Sequence, residues 1–545
     1  MSDSETPRIS TQELSLKSLE NVHEPIDLRL KGVPRPSQEQ LDEGLTRQFS
    51  HLIEHRRHAD KYEDGEKQTV IMDEEEPEPV YVEFKAGDER NPIAYPNSLK
   101  WKITLVGCAF TILSASTGSS YNLGFGSMTK DLNCSEFQAT IGLSMYALGF
   151  GIVPLFSSSF SEEVGRRPLY IVCLLGHTLM HLMIALSHNI QTVIVARFLQ
   201  GAFGSTGAVM VGGTIADIWQ PSERSLPMSI YALCAVGGTG LGPIYAGWIE
   251  MNSHLQWRWI QWVHMIATFV VWVSTILFMK ETRSTILLIR LAKKMRKETG
   301  DLKYRARAED EGASLRTLIF ISCTRPLYLL THEPTVIAIS IWVGFAWGML
   351  YCMIESVGPV FQSLHGFNAG QEGTAFVTVA LGSLLGFMTN FYQERLYQRN
   401  FARRGPEARL YGPCIAAIFF PIGMFIYAWC AFASVPWIAL AIGITVFIWA
   451  LFTIYLAAFT YLADCYGPFA SSASAGQSLT RNIMATVFPL FTSKMFAALT
   501  YKWGNTVFGV IATLMVPIPF ILFHYGPRIR ARSKFASMVL ESQKL

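Results

Sequence analysis

Few residues in this chain have the type and spacing to do chemistry, and they are concentrated. The stretch "FSEEVGRRPLY", residues 160–170, packs Glu162, Glu163, Arg166 and Arg167 between two long apolar runs. Opposite charges at the edge of an apolar medium form ion pairs that break and re-form for roughly a few kcal/mol, which suits a latch. Gly165 permits a sharp backbone reversal there, and Pro168 suits the first turn of a following helix. Arg197, in "ARFLQG", stands inside another apolar run, where a cation is costly and normally faces a bundle interior and a partner. Glu355, in "YCMIESVGPVF", is the one carboxylate well inside an apolar run of the second half. Taking a carboxyl group out of water favours its protonated form, and loading and releasing protons depends on that balance. Glu355 is therefore the leading candidate for proton coupling. The alternatives are a structural Glu bonded to serines such as Ser356, or one in an outer vestibule.

The elements that must position these residues are apolar helices. The chain has 545 residues, 50% hydrophobic and only 16% charged, against about 25% charged in an average soluble protein. Crossing a bilayer as a helix takes about 20 mostly apolar residues. Six candidates run over 102–124, 138–160, 168–187, 192–214, 227–249 and 259–280. Six more run over 335–361, 374–396, 410–432, 437–462, 471–497 and 506–525. Six spans, a charged loop and six spans predict an all-α integral membrane protein of twelve transmembrane helices in two six-helix, pseudo-symmetric bundles. The domains expected are a polar, mostly disordered tail over 1–98, bundles over 99–280 and 335–526, a central loop over 281–334, and a C-terminal tail over 527–545.

Charge sets the orientation. Arg166, Arg167, Arg224, the central "RLAKKMRKETGDLKYRAR", the arginines of 395–409 and "RIRARSK" at 528–534 all fall on one side, so both termini are expected in the cytosol. No apolar signal segment follows Met1. The central "TILLIRLAKKMRKE" reads either as an amphipathic helix on the inner leaflet or as a solvated linker helix. The sequon at Asn133 lies in an outer gap and is a glycosylation candidate. The net charge of +3 gives no support for nucleic-acid binding. Nine scattered cysteines without paired spacing give neither a disulfide framework nor a metal site. No phosphate-binding G-x-x-x-x-G-K-[ST] is present, which disfavours a pump powered by ATP hydrolysis, and no cofactor is expected.

These motifs resemble the major facilitator superfamily, in its fungal, twelve-span drug:proton antiporter branch. The resemblance covers roughly 85–545 and places the signature loop of that family on Glu162, Gly165, Arg166 and Arg167. It implies a charge relay between this loop and neighbouring helix ends that locks the cytosolic side. Ser158 and Glu163 depart from the pattern, and Glu163 is expected to pair with Arg224 or with a central-loop arginine. "ARFLQG" matches the branch's R-x-x-Q-G motif, implying that Arg197 tunes proton transfer or braces the cavity; snorkelling is the alternative. "GGTGLGPIYAG" places Gly238, Gly242, Pro243, Ala246 and Gly247 on the antiporter motif, which accompanies export in the family. Its small residues allow close helix approach, and its proline bends the helix.

Alternating access places a substrate site near the midplane between the halves. Tyr121, Trp347, Tyr351, Asn390, Gln477 and Arg481 are the candidate lining residues, with Trp342, Trp449 and Tyr455 also in spans that border the cavity. Aromatic walls suit apolar or cationic organic molecules. His177 and His181 lie one helical turn apart but lack a third ligand, so packing is the favoured role. The expected protein is a non-enzymatic, monomeric transporter in contact with a small-molecule substrate, protons and membrane lipid. It exports a drug, polyamine or secreted metabolite by proton antiport. An uptake symporter or facilitator for a vitamin, polyamine or organic acid is the alternative, and a non-transporting membrane sensor a remote one.

Overall fold

The computed structural model describes residues 79–85, 87–220, 223–311, 315–533 and 535–537. Most of the expected N-terminal tail, residues 1–78, lies outside the described residues. Ten stretches are long and apolar enough to cross a membrane. Two of them, Ala369–Trp429 and Ala470–Arg532, each contain two helices, which gives twelve. The first six are α1 (Asn97–Ser120), α2 (Glu136–Glu163), α3 (Arg166–Ala185), α4 (Ile190–Ile218), α5 (Ser225–Met251) and α6 (Gln256–Phe278). The second six begin with α7 (Pro334–His365), α8 (Val377–Arg404), α9 (Tyr411–Trp429) and α10 (Trp437–Tyr466). A non-helical Thr500 (φ 66°) divides the last continuous stretch into α11 (470–499) and α12 (501–532).

Local chemistry fixes the helix starts. Ser135 and Gln138 form a capping box at α2, and Asn189 accepts the Thr192 N–H at the start of α4. Pro334 opens α7, where its missing N–H is harmless, and Gly366 in the left-handed region closes it. Between α2 and α3, Gly165 takes φ +97°, and a Cβ there would strike the carboxylate of Glu281.

The repeat is visible in the packing. α2 packs on α4 and α1 on α5, and the same pairs six helices later are α8 on α10 and α7 on α11. α3 packs on α6 as α9 packs on the chain of α12. The halves meet along two seams, α2 against α11 and α5 against α8. Close approach is built from small residues. A Cβ on Gly242 would overlap Ser116 of α1, and one on Gly247 would overlap the carbonyl of Ala369 beside α8. The antiporter-motif glycines therefore face both the helix's own half and the other half.

One expectation is refined here and another changes. The tail over 1–98 was expected to be mostly disordered; within it Val80–Tyr81 (β1) pairs in parallel with Tyr304–Arg305 (β2), through Val80 N–H to Lys303 (2.8 Å) and Val82 N–H to Arg305 (2.9 Å). The basic helix Ser284–Thr299 was expected to bury its apolar stripe in lipid or leave it in solvent. Its Leu288, Ile289, Leu291, Ala292 and Met295 instead join Val82, Tyr304 and Ala306 in a small core. Protein covers that stripe because the polar segments on both sides of the first bundle supply apolar residues of their own.

Candidate functional site

On the face that carries the charged loops, Gly165 turns α2 into α3 and brings Arg166 against Asp217, at the end of α4, in a short ion pair. Arg283 lies 3.9 Å from the other Asp217 oxygen. Glu281, 5% exposed, accepts the backbone N–H groups of Arg166 (2.9 Å), Arg167 (3.3 Å), Thr282 (3.0 Å) and Arg283 (3.1 Å). A carboxylate on the first turn of α3 satisfies orphan N–H groups and complements the helix dipole. Arg167 itself donates to the Ile276 carbonyl (3.2 Å). The loop's acid, Glu162, lies in the last turn of α2, with its side chain outside what the structure describes. The expected partnership of Glu163 with Arg224 is not formed. Glu163 is exposed, and Arg224 donates to the carbonyls of Ala216 and Trp219. Asp217 and Glu281 were missed because both are remote in sequence.

The second half carries a counterpart. Gly405 (φ +67°) turns the chain after α8, and Arg409 pairs with Glu394 (2.8 Å) and Asp464 (2.9 Å) while lying over the ring of Tyr397. Asp464 also accepts the Tyr397 hydroxyl at 2.9 Å. Beside it, Glu407 and Arg530 form a buried two-point pair, with Nε at 2.9 Å and Nη2 at 2.7 Å. Asp217 and Asp464 each follow an alanine at the ends of equivalent helices, α4 and α10.

Between the bundles is a narrow cavity of about 60 Å³, lined among others by Ser114, Tyr146, Tyr231, Trp347, Tyr351, Tyr455, Arg481 and Asn482. Arg481 sits over Trp347 (4.6 Å) and Tyr455 (5.1 Å) and donates to Ser478 (3.2 Å). Arg197, fully buried, lies between the rings of Tyr121 (4.2 Å) and Tyr146 (4.4 Å). It donates to Gln200 (2.8 Å) and to the carbonyls of Thr117 (3.2 Å) and Gly142 (3.3 Å), so it braces α1, α2 and α4 rather than snorkelling. Among the described residues neither arginine has a carboxylate partner. A wider groove of about 380 Å³ opens sideways between α1, α5 and α6 and is lined by none of these charged residues.

Of the remaining candidates, Trp347, Tyr351 and Arg481 line the cavity, while Tyr121 stands behind it on Arg197. Asn390 instead ties α8 to Ser229 of α5 (2.9 Å), and Gln477 is buried outside the lining set. Trp449 bonds Thr389 and packs on Phe419, away from the cavity. Glu355 is not among the residues that line the cavity, although its neighbour Ile354 is. Its Oε1 accepts Ser493 Oγ of α11 (2.9 Å) and Thr140 Oγ1 of α2 (3.3 Å), so it bridges the two halves. His177 and His181 are buried in a network. Arg197 holds the Gln200 oxygen, the Gln200 amide nitrogen lies 3.0 Å from His181 Nδ1, the Gln261 side-chain oxygen lies 2.8 Å from the same Nδ1, and His181 stacks on His264. No cluster suited to a metal ion occurs among the described residues. Asn133 is exposed in a turn with φ 47°.

Two six-helix repeats around a central cavity, with breakable ionic contacts at one face, define a membrane transporter and not an enzyme. The chain belongs to the Major Facilitator Superfamily, whose family profile matches residues 105–489. It is 34% identical to an uncharacterized MFS-type transporter of Schizosaccharomyces pombe, over 85% of this chain and 84% of that one. It is 32% identical to the multidrug transporter mdrA of Aspergillus fumigatus, over 85% and 77%, and 35% identical to the efflux pump atB of Aspergillus terreus, over 71% and 83%. Among solved structures, the proton:xylose symporter XylE superposes with a TM-score of 0.58 at 14% identity, over 79% of this chain and 96% of that one. A human organic anion transporter superposes with a TM-score of 0.55 at 14% identity, over 78% and 100%.

Proposed function

We propose that the chain exports small organic molecules by proton antiport across the plasma membrane, with both termini and the Arg166 cluster in the cytosol. Relatives named as multidrug transporters and efflux pumps support export, as do the Gly-Pro contacts that α5 makes with α1 and α8. The observation that carries the reading is a pair of ring-clasped guanidinium groups without carboxylate partners among the described residues, Arg481 lining the cavity and Arg197 buried behind its Tyr146 wall. A cavity with that charge repels polyamines and favours aromatic molecules that carry an anionic or electron-rich group. Glu355, shared between α2 and α11, is the coupling group. Its protonation weakens its hold on the Thr140 and Ser493 hydroxyls and so loosens the seam on the outer side.

The test uses proteoliposomes with an imposed pH gradient and a fluorescent aromatic carboxylate. Glu355→Gln abolishes gradient-driven efflux and keeps substrate counterflow; unchanged efflux removes Glu355 from the mechanism. Arg481→Gln raises the substrate KM for the anion at least tenfold, while a cationic analogue of the same size gains. The reverse order of preference would sink the assignment of substrate charge.

A further inference from the structure

The chain does not end where α12 ends. After Arg532, Ser533 is extended (φ −79°, ψ 137°), and Phe535 and Ala536 are buried at 1% and 0% exposure. The Ser533 hydroxyl donates to Glu333 and accepts the Ala536 N–H at 3.0 Å, so both of its hydrogen-bonding roles are used. Glu333, 2% exposed, also accepts the Tyr466 hydroxyl (3.1 Å) and the Phe535 N–H (3.4 Å). The Phe535 ring meets Phe469 edge-on at 4.8 Å and Tyr328 at 6.1 Å.

These partners belong to elements that meet at this face. Glu333 precedes α7, Tyr466 ends α10 and Phe469 leads into α11. Tyr328 lies in the helix Leu315–His332, which packs on α2 of the first half and on α11 of the second. One carboxylate and one ring thus fasten the tail to the bridge between the halves.

The sequence here is "RIRARS", with arginines one, three and five residues before Ser533. Cations at that spacing fit the acidic substrate grooves of basophilic serine kinases. We propose that Ser533 is a phosphorylation site and that its modification unfastens the C-terminal tail from the cytosolic face, favouring opening towards the cytosol. The transfer is an ordinary one. Ser533 Oγ attacks the γ-phosphorus of ATP, the bond to the β–γ bridging oxygen breaks, ADP leaves, and the hydroxyl proton passes to the kinase.

The phosphate brings about −1.5 to −2 charges and removes the proton that Ser533 gave to Glu333. Among the described residues, the other groups that Glu333 accepts from, the Tyr466 hydroxyl and the Phe535 N–H, carry no positive charge to offset it. Two anions then share a buried pocket, and the tail leaves. Arg528 and Arg532 are exposed, but Arg530 is held by Glu407 and Ser533 is 5% exposed. A kinase therefore gains its site only after the last turn peels away, and the phosphate prevents the return. The modification records an opening that has already occurred.

This inference rests on the cytosolic placement proposed above, so its test separates the two. Purified full-length protein in detergent is treated with a basophilic serine kinase and Mg-ATP, the site is mapped by mass spectrometry, and chymotryptic cleavage after the buried Phe535 is timed. Phosphate incorporation at Ser533 is expected, and it disappears in Ser533→Ala. Kinase treatment, or Ser533→Asp, speeds cleavage about tenfold, and Glu333→Gln in the Ser533→Asp background returns the rate to near that of the parent. Absence of phosphate at Ser533, or cleavage as slow after kinase treatment as before, overturns the proposal. None of these readouts depends on sidedness. Cleavage after Phe535 by chymotrypsin added to intact cells would refute the cytosolic placement and leave the detergent results standing.

Discussion

The two halves solve the same problem with different parts. In each, a glycine with positive φ turns one helix into the next, and an arginine near that turn reaches an aspartate at the end of α4 or α10. They differ in the third partner. In the first half Glu281 arrives from beyond α6 and binds backbone N–H groups at the start of α3, a contact that involves no side-chain cation. In the second half Glu407 sits within the turn and takes the guanidinium of Arg530, the two side chains being 2% and 5% exposed. Arg166 and Asp217 keep 11% and 16% of their surface. A pair that water can reach separates at small cost, whereas a buried pair broken on one side leaves an uncompensated charge. The matching pair of the second half, Arg409 and Asp464, keeps 17% and 25%, so the arginine–aspartate pairs are reachable by water in both halves, and the second half differs by its additional buried pair.

The sharpest way to break this comparison is to delete one acid from each half. Glu407→Ala is expected to destabilise the protein by about 3–5 kcal/mol, while Glu407→Leu combined with Arg530→Met recovers most of the loss. Thermal unfolding in detergent measures both, and an Asp217→Ala variant that loses as much would erase the distinction. Next in size, Arg166→Ala with Arg167→Ala should raise thiol-reagent reactivity at the face that carries the Arg166 cluster about tenfold, a shift of ~1.4 kcal/mol, with little change in melting temperature. Equal reactivity before and after refutes the latch. Arg409→Lys keeps the charge but loses the planar fork and the stack on Tyr397, so a stability loss of about 1 kcal/mol is expected from the same unfolding experiment. Smallest is the effect of salt. Raising ionic strength from roughly 0.05 to 0.5 M shortens the screening length to a few ångströms, enough to change reactivity at the Arg166 cluster by less than about twofold. The Glu407–Arg530 pair should show no response, and a response there would place it in contact with water.

Much of this was legible in the chain itself. Apolar runs give the twelve helices, and Gly165 and Arg166 stand where a hairpin turn with a latch requires them. Ala216-Asp217 and Ala463-Asp464, at the ends of equivalent helices, were a readable sign of the repeat and of the missing acids. What could not be read was pairing over distance. Arg166 finds Asp217 51 residues on and Glu281 115 residues on, and no local spacing encodes either. Depth within a helix was visible for Glu355, but not that its face meets Thr140 and Ser493 at the seam. Gln477 shares the face of Arg481 but lies one turn outside the lining set, while Asn390 and Trp449 bond Ser229 and Thr389 instead of lining the cavity, because tertiary packing, and not composition, chooses the direction of a polar or aromatic side chain in a helix surrounded by protein.

The short parallel pairing of β1 with β2 has a mechanical corollary. It moors the middle of the connecting segment to the strand that enters α1, so the leash between the halves is shorter than the run from α6 to α7 implies. A movement that draws the second half away must take up the stretch beyond Arg305 or break two inter-strand hydrogen bonds, worth about 1 kcal/mol each.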